Sequence, residues 1–280
     1  MIKYTLFWFR RDLRLIDNVG LFKALSKSNN VIPIFIFDTN ILSKLPFDDP
    51  RIQIIYDTLE SINESLNKFN SNIACFKGNP LKIIKDLIQK ITIERVVFNH
   101  DYEPYSIIRD NEISKYLKQN NIEVNTYKDQ VIFEKDEVVK SDGTPYKVYT
   151  PFSKIWIKKY ESIIDEDFPS EKLLMNFASH HSLQFLTFTE LGFLKSKIEL
   201  PSYKFNSTII KEYESTRNFP SLDNTSKLGV YLRFGLLSIR KLVHKANMES
   251  DNTFLKELIW RESVSYTHLR AHETFSNRVC

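Results

Sequence analysis

The residues best equipped for chemistry fall in three clusters. The first is "FWFRRDLRLIDN" (Phe7–Asn18), where an apolar run opens into Arg10, Arg11, Asp12 and Arg14. Such a group at a strand end makes structural ion pairs, a reading favoured here over direct ligand contact, with Asp17 expected as the N-cap of the next helix. The second is "NTSKLG" (Asn224–Gly229). Two hydroxyls, a lysine and successive backbone N–H groups ahead of a helical segment suit a pyrophosphate; in isolation the same residues are an ordinary helix N-cap. The third is "FLKELIWRE" (Phe254–Glu262), with Glu257 and Arg261 four apart on one helical face and Phe254 three before Glu257. The plain reading is a surface i,i+4 ion pair beside a core Trp260. His268 and His272 are also four apart, with Cys280 beyond. That is metal-ligand spacing, but no carboxylate pattern accompanies it, and no metal site is assigned.

Elements must position these groups. Apolar runs near Tyr4–Phe9, Val31–Phe37, Ile73–Phe76, Arg95–Phe98 and Glu123–Tyr127 predict five short strands. Helix-period segments lie between them at Leu21–Leu25, Ile52–Phe69, Leu81–Ile91 and Ile107–Leu117, and "DDP" (Asp48–Pro50) and "NP" (Asn79–Pro80) are helix starts. The alternation predicts a Rossmann-like parallel five-stranded sheet with helices on both faces. Ligands of such a sheet sit beyond the strands' carboxyl ends, here Arg10–Asp12, Asp38, Lys77–Gly78, Asn99–Asp101 and Asp129. Neither G-x-G-x-x-G nor G-x-x-x-x-G-K occurs at the first strand, so the usual dinucleotide fingerprint and the P-loop are both missing. The stretch 131–204 is less periodic and is expected to be an interdomain linker, while Leu236–Ala246 and Thr253–Glu262 have helical spacing. The helical pattern is expected to end after Glu262, where the sequence turns at Ser263.

Composition sets outer limits. Of 280 residues, 42% are hydrophobic and 26% charged, the balance of a soluble globular protein. A net charge of +4 permits a polyanionic partner without requiring one. Two cysteines imply no disulfide framework, which points to a reducing cytosol. No apolar run approaches the ~20 residues that span a bilayer, and the N-terminus lacks the features of a signal peptide.

Five blocks carry a family resemblance: "FWFRRDLRLIDN", "NHDYEPYSIIRD" (Asn99–Asp110), "YKVYTPFSKIW" (Tyr146–Trp156), "YESTRNFPSLDNTSKLGVYLRFGLLSIRKL" (Tyr213–Leu242) and "FLKELIWRE". In this order they resemble the DNA photolyase and cryptochrome family over residues 3–262. The resemblance implies an α/β antenna domain (1–130), a linker (131–204) and the start of an all-α FAD-binding domain (205–262). It implies light-dependent repair of cyclobutane pyrimidine dimers by a monomeric cytoplasmic enzyme that takes FAD and UV-damaged DNA. The alternatives are a cryptochrome-type blue-light receptor and an inert fragment that cannot retain FAD. By resemblance, Tyr213, Thr225, Ser226, Lys227, Leu228, Gly229, Phe254, Glu257 and Arg261 contact the flavin nucleotide. Arg217, Glu257 and Trp260 then face DNA and its lesion. Gly229 departs from the serine usual at its position, which removes one donor.

The antenna chromophore is left without an identity. Tyr105 and Ser106 stand where folate-binding members have an Asn-Glu pair, so folate is not implied; a deazaflavin, a second flavin or no antenna are the alternatives, with Glu103 and Asp38 as weak candidates for contacts. In the resembling family, W-R-E is followed by an aromatic residue and a long helical continuation. Ser263–Cys280 does not match it. It resembles translated adaptor sequence, so 263–280 is expected to be a non-native tail and the photochemical half absent. A colourless product without repair activity is the corresponding expectation.

Overall fold

A computed structural model of the chain describes residues 2–163, 166–179 and 181–276, with residues 265–276 described by their backbone alone. Five strands, β1 (Tyr4–Phe9), β2 (Val31–Asp38), β3 (Ala74–Gly78), β4 (Ile93–Asn99) and β5 (Glu123–Tyr127), form one parallel sheet in the order β3-β2-β1-β4-β5. The connections are helices α1 (Val19–Lys27), α2 (Thr39–Leu42), α3 (Pro50–Asn67), α4 (Pro80–Lys90) and α5 (Pro104–Gln119). Proline opens α3, α4 and α5, where its missing N–H costs nothing. The period-2 side-chain alternation of β1 and β2 feeds two cores. Phe7, Phe9 and Phe35 pack with Leu21 of α1 and Leu59 of α3 on one face. Leu6, Trp8 and Ile34 pack with Ile84 of α4 and Ile113 of α5 on the other.

The second half is helical: α6 (Tyr149–Tyr160), α7 (Ser207–Thr216), α8 (Gly229–Arg233), α9 (Ile239–Asn247) and α10 (Thr253–Ser276). Its core gathers Phe152 and Trp156 of α6, Ile210 of α7, Leu232 of α8, Val243 of α9 and Ile259 of α10. Part of stretch 131–204 therefore belongs to this core: α6 lies within it, and Ile132 and Phe133 join the same cluster. The expected break at Ser263 is absent, because α10 runs on to Ser276. Nothing between Thr253 and Ser276 is Gly or Pro, so an established helix propagates through weak formers at little cost per residue.

Polar groups at the switch between β1 and β4 join the two halves. The N-cap of α1 is Asn18, not Asp17: its Oδ1 accepts from the Leu21 N–H at 3.1 Å. Asp17 takes a left-handed conformation (φ 50°) and turns its carboxylate to Arg240 (3.0 Å) and the Ser238 hydroxyl of the helical half. Fully buried Asp129 pairs with Arg14 (2.7 Å) and Arg240 (2.9 Å). Burial acts upward on its carboxyl, but Arg14 and Arg240 outweigh it and hold it below the usual range. Across the same seam Leu13 N–H donates to Phe234 O at 3.1 Å and Arg14 Nη1 to Gly235 O at 3.1 Å.

Candidate chromophore and lesion sites

The first strand's charged loop is built as ion pairs. Arg10 pairs with Asp110, and Arg11 with Glu103 (2.9 Å) and Asp101 (3.4 Å). Asp12 accepts from its neighbour's backbone, Arg10 N–H, at 2.7 Å and from Asn99 Nδ2 at 2.5 Å; burial, reinforced by Asp129, raises its pKa. Of these residues, Arg10, Arg11, Asp101 and Glu103 line a cavity of about 430 Å³ beyond the carboxyl ends of β1 and β2. Trp8, Phe35 and Phe37 give it aromatic walls, and Arg11, Arg51 and Arg233 border it with cations. Tyr105 closes one side: its hydroxyl donates to Asp38 at 2.6 Å and accepts from Asn40 Nδ2 at 3.0 Å. Ser106 is buried and donates to Asp101 at 3.0 Å. Glu103 and Asp38 border the cavity but are already paired, Glu103 with Arg11 and Asp38 with Tyr105.

The second locus lies on α10 and α7. Arg217, the C-cap of α7, pairs with Glu257 of α10 and lies over the Tyr213 ring at 5.8 Å. Trp260 is 49% exposed and its ring lies 4.1 Å from that of Tyr149. Arg217, Glu257, Trp260 and Tyr149 line one concavity of about 470 Å³, together with Lys256 and Asn218. Trp260 is therefore not a core residue. Burial, with Glu257 adding to it, pushes the Tyr149 phenol up to about 12, so it stays a neutral donor.

Phe254 is buried 5.1 Å from Tyr213, edge to face, and 5.6 Å from Phe205. The surface i,i+4 pair is not formed. Glu257 turns out to Arg217, whereas Arg261 turns inward, donating to Gln130 O (3.2 Å) and Leu232 O (3.3 Å). The carbonyl at the end of α8 and the one after Asp129 offer Arg261 partners inside the fold that Glu257 does not reach.

The loop before α8 also departs from an N-cap. Leu228 is the capping residue and makes no side-chain cap bond. Thr225 is exposed and Ser226 half-buried. Lys227 takes φ 54° and pairs with Asp223 (2.7 Å), which also meets Lys204 (2.7 Å). Hydrogen bonds from Lys204 and Lys227 draw Asp223 down to about 2. A Cβ added at Gly229 would meet nothing within 4 Å, so the loop leaves open space at its end. Leu228 ties this loop to the core that holds Phe254 and, at its margin, Tyr213.

One buried group escaped the motif reading. Glu262 sits inside the second core, accepting from Ile132 N–H (2.8 Å), Phe133 N–H (3.1 Å) and Trp156 Nε1 (2.7 Å). Burial pushes it up to about 7 against the pull of those donors. A signal was available: Glu262 continues the buried stripe Leu255, Leu258 and Ile259 at i+7, i+4 and i+3, and an acid in phase with an apolar stripe calls for donors inside. No group of His, Cys, Asp and Glu among the described residues could hold a metal; the side chains of His268, His272 and Cys280 lie outside them. Among the described residues no helix is long and apolar enough to cross a membrane.

A doubly wound α/β domain, with an aromatic-walled cavity at its strand ends and a helical half locked to it by buried ions, defines the class. The family model for DNA photolyase matches residues 5–172, more than half of the sequence, and the chain belongs to that family. The deoxyribodipyrimidine photo-lyase of a Synechococcus strain is 29% identical over 293 residues, covering 96% of this chain and 60% of that protein. Among solved structures, the archaeal photolyase of Sulfolobus tokodaii, which holds two FAD molecules, aligns at TM-score 0.72 and 26% identity over 95% of this chain. A class III photolyase from Agrobacterium tumefaciens has the same fold at TM-score 0.77 and 23% identity. The chain spans about 60% of the length of these three proteins.

Proposed function

We propose that the protein splits cyclobutane pyrimidine dimers in DNA under light, with FAD as its cofactor. The observation that supports this most is that Arg217, Glu257 and Trp260 border a single concavity. In it an exposed indole can stack on an unpaired base, a carboxylate can accept from base N–H groups, and a guanidinium can meet backbone phosphate.

The residues present fit a dinucleotide. Thr225, Ser226 and the N–H groups of Lys227, Leu228 and Gly229 would hold the diphosphate, helped by the Lys227 and Arg261 cations. Space for the nucleotide is open at Gly229. Tyr213 and Phe254 would form an aromatic wall, and Glu257 would lie between flavin and lesion. When bound, reduced and excited by light, FAD would supply the electron that opens the dimer and would take it back once the two pyrimidines separate. The chain's own residues orient the lesion and exclude water from it. The strand-end cavity is assigned to a second chromophore, whose flat ring system would meet the aromatic side chains of Phe35 and Phe37. The protein works as a cytosolic monomer in this reading.

The test is a repair assay on the purified protein, supplied with FAD, a reductant and blue light. Loss of dimers from a UV-irradiated oligothymidylate is expected. A flavin-loaded protein that leaves dimers intact would move the reading to a blue-light receptor. A protein that takes up no FAD would overturn it.

A further inference from the structure

Glu262 and Arg261 meet the same short loop with opposite polarity. Arg261 donates to the carbonyl of Gln130 at 3.2 Å, while Glu262 accepts from the N–H groups of Ile132 and Phe133. The loop is fixed from its other side as well. Gln130 Nε2 donates to His100 O at 3.1 Å, and Asp129 is pinned by Arg14 and Arg240. Glu262 also receives the indole N–H of Trp156, which brings in α6. A buried carboxylate with three N–H donors is a costly feature unless its geometry is used.

We propose that Glu262 is a positioning residue: with Arg261 it clamps loop 130–133 and α6 to α10, and so sets the rotation of the α10 face that carries Phe254, Glu257 and Trp260. The clamp itself stands on the geometry of the loop; that it serves a flavin and lesion pocket rests on the function proposed above.

The clamp depends on charge. An ionised carboxylate only accepts, so it meets all three donors. A protonated one places an O–H among groups that are themselves donors, and one bond must be given up. With burial lifting Glu262 to about 7, the change falls near neutral pH. The other charged or titratable groups that act on it are Arg261 on α10 and Tyr102 after β4, and Tyr102 in turn feels Asp129 and Glu134. His100 and Tyr102 engage Glu134, and Arg14 and Arg240 engage Asp129. The group α6 turns toward Glu262 is uncharged Trp156.

The experiment follows the Trp156 indole N–H resonance by two-dimensional NMR from pH 5.5 to 8.5, in the wild type and in Glu262→Gln. An inflection near pH 7 in the wild type, lost in Glu262→Gln and retained in Glu262→Asp, is expected. The wild-type titration needs no variant to fold. A flat wild-type profile, or an inflection that survives unchanged in Glu262→Gln, would overturn the charge dependence near neutral pH, and a Trp156 indole resonance left unmoved by Glu262→Gln at pH 8 would overturn the clamp. In parallel, FAD affinity at pH 8 is expected to fall about tenfold in Glu262→Gln, the equivalent of one charge-assisted hydrogen bond. Equal FAD affinity in both proteins would refute the positioning role. A wild type that titrates near pH 7 but binds no FAD would sink the flavin reading and leave the clamp in place.

Discussion

Gly235 is where the joint between the two halves can be tested most sharply. It takes φ 65°, and a Cβ built there would lie 2.2 Å from the carbonyl oxygen of Arg11 and 2.6 Å from Cα of Asp12. Both are backbone atoms, so no side-chain rotation relieves the clash. Gly235→Ala must pay for a left-handed alanine, about 1–2 kcal/mol, and for overpacking, about 1–3 kcal/mol. The backbone shift that relieves the overlap pulls on Leu13–Phe234 and Arg14–Gly235, bonds of about 1 kcal/mol each. A loss of roughly 3–5 kcal/mol is expected, a large share of the ~5–15 kcal/mol that holds a domain together. The damage should be directional. The helical half should come away first, while the sheet, whose two cores are closed by α1, α3, α4 and α5, unfolds later.

Urea unfolding followed by far-UV circular dichroism reads both quantities. Gly229→Ala is the control, since its added methyl meets nothing within 4 Å and Gly229 opens α8; it should be neutral or stabilising by up to about 1 kcal/mol. If Gly235→Ala costs less than about 1 kcal/mol, or unfolds in the same single step as Gly229→Ala, the argument for a backbone-tight joint is wrong.

Four further outcomes follow from the same geometry. Asp129→Ala strands Arg14 and Arg240 in the interior and should cost about 3–5 kcal/mol in urea unfolding; a loss under 1 kcal/mol would mean the pair is hydrated. Glu262 has an ordinary pKa of 4.5 unfolded and about 7 folded, so the native state binds its proton more tightly. Its stabilising contribution is complete below pH ~4.5 and is lost as pH rises through ~7. The loss is at most roughly 3 kcal/mol and should vanish from the difference between pH 5 and pH 8 in Glu262→Gln. Gly229→Ser returns a donor to the loop before α8 and should tighten FAD binding about fivefold, one neutral hydrogen bond, by flavin fluorescence titration; unchanged affinity would place the diphosphate elsewhere. Trp260→Ala removes a stacking surface and should weaken binding of dimer-containing DNA by about 1–3 kcal/mol while leaving undamaged duplex binding unchanged; equal losses on both DNAs would make Trp260 a general contact.

Local periodicity exposed the sheet because β1 to β4 are short, carry apolar runs and alternate with helix starts, whereas the edge strand β5 is half polar. Pro50 and Pro80 announced α3 and α4 for a reason that needs no tertiary context: proline is pre-shaped for the first helical turn. Asp17 misled because Asp and Asn are both good caps, and which one is used depends on Ser238 and Arg240, more than 200 residues away in sequence. Arg261 misled in the same way. Spacing fixes which residues share a helical face but not which partners the fold brings to it, and α8 and loop 130–133 bring carbonyls. The break expected at Ser263 came from a mismatch to the family's continuation and a resemblance to translated adaptor sequence, neither of which bears on helix propagation through a stretch without glycine or proline.

Residues 131–133 carry the last step. In sequence they open an aperiodic stretch between two domains, and nothing in their composition assigns them to either. In the fold they are held by charges from both. Asp129 binds the arginines of β1's loop and of α9, and from the next residue on the backbone is in the clamp of Arg261 and Glu262. The path from the strand-end cavity to the concavity on α10 therefore runs through a segment fixed at both ends. Its stiffness rests on buried ions rather than on secondary structure. Such a connection transmits position only while the ions keep their charge, so the state of Glu262 near neutral pH bears on how firmly the α10 face is held. If exchange of the Ile132 and Phe133 amides proves as fast as that of an exposed loop at pH 8, the connection is slack and the two sites are placed independently.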